Sequence, residues 1–160
     1  MSFCWDVYVW IPRHTPELFQ TFIDRYVDPD RPGDERLAAF VRTYITGTPS
    51  CDDAAALAEL RSGDSGAAFT IYLRGRVHPF AMITITGGDA AVLGLSFDDP
   101  DDSPQMRHEA ERLLRRLRQE FSSPAGIAGV EMPPPWTRQE WQDEPAPLRV
   151  GVIPGRATAD

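Results

Sequence analysis

The chain has 160 residues and a mass of 17.9 kDa, one domain's worth of protein, with 42% hydrophobic and 25% charged residues. All 16 of its basic residues are Arg, which excludes Schiff-base lysines, phosphate-loop lysines and Ser-Lys dyads. The 24 acids leave a formal net charge of −8, which argues against general nucleic-acid binding because that needs a dense basic surface.

No stretch reaches the roughly 18–20 apolar residues that a membrane helix requires. The start Met1-Ser2-Phe3-Cys4-Trp5-Asp6 lacks the pattern of a signal peptide. Cys4 and Cys51 form no CxxC, so two reduced thiols in a cytoplasmic protein are expected. Arg without Lys, together with abundant Ala, Gly, Pro and Asp, fits the codon bias of a GC-rich genome.

Residues 3–11 read as a strand: Phe3, Trp5, Val7, Val9 and Ile11 are apolar, the alternate positions are mixed, and Pro12 ends the run. Thr15-Pro16-Glu17 opens a helix, with Thr15 as cap and Pro16 at the first helical position. Leu18, Phe19, Phe22, Ile23, Tyr26 and Val27 form its apolar face. After the turn residues 28–33, Asp34 is placed to cap a second helix with Leu37, Val41, Tyr44 and Ile45 on one stripe, stopped by Gly47. Residues 50–60 predict a third, weaker helix.

Residues 67–97 change period. Three alternating runs, 67–73, 77–86 and 91–97, are separated by Arg74-Gly75-Arg76 and Gly87-Gly88-Asp89, which predicts a three-stranded antiparallel meander. Pro79 places the start of the second strand at an edge or a bulge. Ser103-Pro104 then starts a long helix with Met106, Ala110, Leu113, Leu114, Leu117 and Phe121 on its buried stripe. Arg112, Arg115, Arg116 and Arg118 alternate with Glu109, Glu111 and Glu120, the pattern of a salt-bridged solvent face. Ile127–Met132 reads as a last strand. Six of the 15 prolines fall at or after residue 133, so 133–160 reads as an extended arm, with Trp136 and Trp141 near a short helical turn.

The expectation is therefore an α+β fold: an antiparallel or mixed sheet of about five strands around the central meander, with helices mainly on one face. The domain plan is a single domain over 1–132 and a Pro-rich arm over 133–160.

Motifs for chemistry are sparse. His14, His78 and His108 show no metal-ligand spacing, and no GxSxG, GxGxxG or phosphate loop occurs, so no metal and no cofactor are expected. The run Asp98-Asp99-Pro100-Asp101-Asp102 lacks the EF-hand pattern. It reads as a solvated loop ahead of a helix or as a negative patch for a basic partner. With Trp136 and Trp141 as docking anchors, the partner-facing candidates are Asp98, Asp99, Asp101, Asp102, Trp136 and Trp141. A small-enzyme or ligand-binding alternative rests on Asp6, Tyr8, His14, Arg74 and His78 converging between sheet and helices. A third reading is a homo-oligomer joined through a sheet edge or the arm.

Three runs of the meander, 69–75, 80–86 and 92–96, precede an acidic loop and a long helix. With the later Gly126-Ile127-Ala128-Gly129-Val130-Glu131 and the prolines after it, this layout resembles small uncharacterised proteins of GC-rich bacteria. It is also similar to immunity proteins of bacterial polymorphic-toxin systems, which are small, acidic, cytosolic α+β proteins that occlude a cognate toxin. The resemblance covers residues 67–136 and transfers no individual site residue. It implies a non-enzymatic protein-binding function directed at a basic toxin domain, with neither nucleic acid nor membrane as partner.

Overall fold

The structure, a computed structural model, describes residues 3–61, 66–99 and 103–155. In chain order it runs β1 (Phe3–Ile11), α1 (Pro16–Tyr26), α2 (Leu37–Val41) continued by a π-helical turn (Arg42–Thr46), and α3 (Asp53–Ala58). The meander β2 (Phe69–Arg74), β3 (Phe80–Ile85) and β4 (Ala91–Asp99) follows. Then come α4 (Pro104–Glu120), β5 (Ala125–Val130), α5 (Arg138–Asp143) and β6 (Leu148–Gly151).

The fold is α+β, with one open sheet of six antiparallel strands in the order β2-β3-β4-β1-β5-β6. β1 is central because its apolarity on both faces suits a strand covered twice. Its odd residues Trp5, Val7, Val9 and Ile11 pack beneath helices α1 to α4 in the larger core. Its even residues Tyr8 and Trp10 face the opposite side, in a smaller core with Met82, Val92, Ile127, Met132 and Trp141.

The helix starts follow local chemistry. Thr15 Oγ1 accepts from Leu18 N at 3.1 Å and Ser103 Oγ from Gln105 N at 3.2 Å, each followed by Pro at the first helical position. The second helix starts later than its sequence suggests, at Leu37, because Asp34 is taken up by Arg36: its carboxylate accepts from the Arg36 backbone N–H and from both arms of the guanidinium. Gly47, at φ +71, ends the π-helical turn in the left-handed conformation that glycine adopts without strain.

Several strand bounds shift: β2 starts at Phe69, two residues later than its alternation suggests, β3 at Phe80, three residues later and just after Pro79, which has no N–H to pair, and β4 runs on to Asp99. β5 begins at Ala125, two residues earlier than its pattern suggests, because Gly126 lets α4 approach: a Cβ there would lie 2.3 Å from Leu114 Cδ1. The sixth strand, β6, comes from the segment read as an extended arm; four residues that pair with β5 carry too short an alternation to register as a strand. Residues 132–155 cross back over the second sheet face, where Trp141 is 2% exposed and meets Trp10 edge-on at a centroid distance of 5.5 Å.

Candidate functional site

The chain leaves β5 through Glu131, a non-glycine residue at φ +52. That turn is held from three sides. Met132 N donates to Asp6 Oδ2 at 2.8 Å, the Tyr8 hydroxyl donates to the Met132 carbonyl, and Cys4 N donates to Glu131 Oε1 at 2.9 Å. Burial pushes the Asp6 carboxyl up to about 7, against the lowering bond from Met132 N, with the charge of Glu131 adding to the rise. Burial and then the charge of Asp6 also raise the phenols of Tyr8 and Tyr72, which places these groups in one electrostatic neighbourhood.

Beyond that turn, the Pro133–Trp136 stretch and α5 stand over the outer part of the meander. Trp136 Nε1 donates to Thr70 Oγ1 at 2.7 Å, and Thr70 and Thr84 share a further hydroxyl bond at 2.6 Å. Between strand and arm lies a groove of about 540 Å³. Its walls are Tyr72, the Pro133–Trp136 stretch and the carboxylates of Glu140, Asp143 and Glu144. Tyr72 also borders a second groove of about 660 Å³ with Arg74, Val77, His78 and Phe80, so the two adjoin at that residue. Tyr72, Val77 and Phe80 are 51%, 84% and 50% exposed, an apolar surface at one edge of the sheet.

The backbone edge of β2 is closed at this end. Arg74 N donates to Pro32 O at 2.7 Å, Asp28 N to Arg74 O at 2.9 Å and Arg76 N to Tyr26 O at 2.8 Å. The exposed feature here is therefore a side-chain surface more than a free strand edge.

The residues singled out from sequence fall in several places. Asp6 and Tyr8 lie together under the arm. Arg74 and His78 share the second groove, where burial and then the positive charge of Arg116 lower the His78 pKa. His14 is at the other end of β1, stacked on Phe19 at 5.0 Å on the helix-covered side, its pKa lowered by burial. The five do not share one pocket.

Of the partner-facing candidates, Asp99 is 1% exposed and accepts from Ser103 N at 3.0 Å and from Trp5 Nε1 at 3.3 Å, which ties β4 to the start of α4. Trp141 is a core residue of the second face. Asp98 is exposed and accepts from Cys4 Sγ at 3.4 Å, and burial, followed by this bond, pushes the Cys4 thiol up to about 11. Trp136 is half-buried and lines the groove. Asp101 and Asp102 lie outside the described residues.

The sequence reading missed Tyr72, Phe80, Glu140, Asp143 and Glu144. The signal was present: Tyr72 breaks the apolar run of β2 on the face opposite Ile71 and Leu73, and the spacing of 140, 143 and 144 puts three acids on one side of a helical turn. Among the described residues, no group of three or more His, Cys, Asp or Glu side chains is placed to hold a metal ion. None of their helices is long and apolar enough to cross a membrane. No family model matches the chain, and neither a curated protein nor a solved structure matches it.

Proposed function

We propose that the chain is a non-enzymatic protein-binding protein, most concretely an immunity protein that neutralises a cognate bacterial toxin through an acidic surface. The observation that carries this reading is that Tyr72 belongs both to an exposed apolar surface and to a groove walled by three carboxylates. Apolar area supplies affinity at a protein interface, while charge of one sign steers the encounter and selects a partner of the other sign. A net charge of −8 extends that selection over the whole molecule. The alternative of a small enzyme built on Asp6, Tyr8, His14, Arg74 and His78 has less support, because the five fall in three separate places: Asp6 with Tyr8, Arg74 with His78, and His14 by itself.

The test is co-expression with the product of the gene beside it in its native genome. The reading expects that product to arrest growth alone, and expects this chain to restore growth and to co-purify with it at fixed stoichiometry. A neighbour that is harmless alone, or a toxic one that the folded chain neither binds nor suppresses, overturns it.

A further inference from the structure

The geometry points to the groove between β2 and α5 as the receptor for an extended basic segment of the partner protein. One Arg or Lys side chain of that segment sits between the rings of Tyr72 and Trp136 and the carboxylates of Glu140, Asp143 and Glu144. This deepens the protein-binding reading and rests on it.

Three observations carry the assignment. The first is the groove's floor. Of the three prolines that line it, Pro133 is exposed and Pro134 and Pro135 are buried, which makes this side of the groove stiff, and Trp136 is fixed in place by its bond to Thr70. The second is charge without compensation. Among the described residues, none of the three carboxylates forms a salt bridge. Of the nearby arginines, Arg149 donates to the carbonyls of Trp141 and Glu144 and Arg138 to those of Ile153 and Pro154, while Arg74, in the adjoining groove, lies in the field of Asp28 and forms no salt bridge with the three acids. Glu140 accepts from Trp136 N and Asp143 from Gln139, both of them uncharged donors. The third is the presence of two aromatic residues and three acids around one groove, which suits a cation on a long apolar stem better than a compact metal ion.

The groove's volume lies in the range that holds a ligand of several residues' side chains. The acid wall repels phosphate, so neither nucleic acid nor an anionic lipid surface fits it. A second copy of this chain also offers exposed arginines outside the salt bridges, Arg13, Arg76 and Arg115 among them, so self-association is one of the outcomes the test separates.

The probe is a blocked decapeptide alternating Arg with Gly, titrated by calorimetry and by the indole N–H resonance of Trp136, beside a control with Glu in place of Arg. The Arg peptide is expected to bind, to shift that resonance and to weaken as salt rises. The double variant Asp143→Asn with Glu144→Gln, two near-isosteric surface changes, is expected to weaken it about fivefold, the effect of two exposed charge pairs. Tyr72→Ala is expected to weaken it by a similar factor through loss of the ring. Equal binding of the Glu peptide, or binding that leaves Trp136 unmoved, overturns the groove assignment. So does self-association of the free chain that the double variant abolishes. If the toxin complex forms with wild type and is unaffected by either variant, the groove fails and the protein-binding reading stands. If wild type forms no complex, that reading itself fails.

Discussion

Gly94 leaves the space that the Tyr8 ring fills: a Cβ at position 94 would lie 2.5 Å from Tyr8 Cδ1. The two are register partners on adjacent strands, facing the arm. With its ring lying across Gly94, the Tyr8 hydroxyl reaches the Met132 carbonyl and helps hold the turn that sends the chain back over the sheet. Gly94→Ala is therefore expected to cost about 1–3 kcal/mol by overpacking. Tyr8→Phe keeps the ring and loses the bond, at about 1 kcal/mol. Urea unfolding of both variants measures this, and a neutral Gly94→Ala would mean that the ring is free to move aside.

Asp6 gives a pH dependence with a definite sign. Its carboxyl is raised from 3.8 to about 7 by burial, so between those values the native protein binds more protons than the unfolded chain. Its contribution to stability is thus fully present below about pH 4 and is lost as pH rises through 7. The groups that face it are Glu131, whose charge adds to the rise, the phenols of Tyr8 and Tyr72, and the Cys4 thiol. Asp6→Asn preserves an acceptor for Met132 N and removes the titration. Relative to wild type it is expected to gain about 1–2 kcal/mol between pH 4 and pH 8, the size reduced by the water that the carboxylate retains. Thermal melts of both proteins across that range provide the check, and parallel curves would contradict it.

Residues 132–155 shield an apolar face. Trp141→Ala removes a side chain packed against Trp10, and about 3–5 kcal/mol of stability is expected to go with it. Truncation after Glu131 uncovers Tyr8, Trp10, Met82 and Ile127 together, and is expected to give an insoluble or self-associating product. A soluble, monomeric truncation with an unchanged melting temperature would contradict this packing role.

The acidic run at the end of β4 divides by role. Asp99→Ala leaves Ser103 N and Trp5 Nε1 without their acceptor in a buried place, at about 1–3 kcal/mol. Asp98→Asn changes an exposed side chain and is expected to stay within about 0.5 kcal/mol of wild type. Chemical denaturation of the pair separates the structural acid from the surface acid.

These residues also mark how far the sequence could be read. The meander, the two Pro-capped helices and the central strand were legible because each carries a strong local signal: period-2 alternation, turn glycines, or Thr and Ser caps followed by Pro. β6 was not, since four residues carry little period and its pairing depends on β5, some twenty residues earlier. The roles of Asp99 and Trp141 were hidden for a related reason. An Asp within an acidic run and a Trp within a Pro-rich stretch look alike in sequence whether they face solvent or the interior, and only the path of the chain over the second face decides. The groove was half legible. Trp136 was visible as an anchor, while Tyr72 and the acids at 140, 143 and 144 become one surface only when the arm folds back over β2.

The central claim, that an acidic aromatic groove docks a basic partner, is tested most directly by one calorimetric titration series. The cognate toxin domain is titrated into wild type and into the Asp143→Asn, Glu144→Gln double variant at low and at physiological ionic strength. The account predicts that the double variant raises Kd about fivefold at low salt and that the gap narrows as salt screens the charges. An identical Kd for both proteins at both ionic strengths would contradict it.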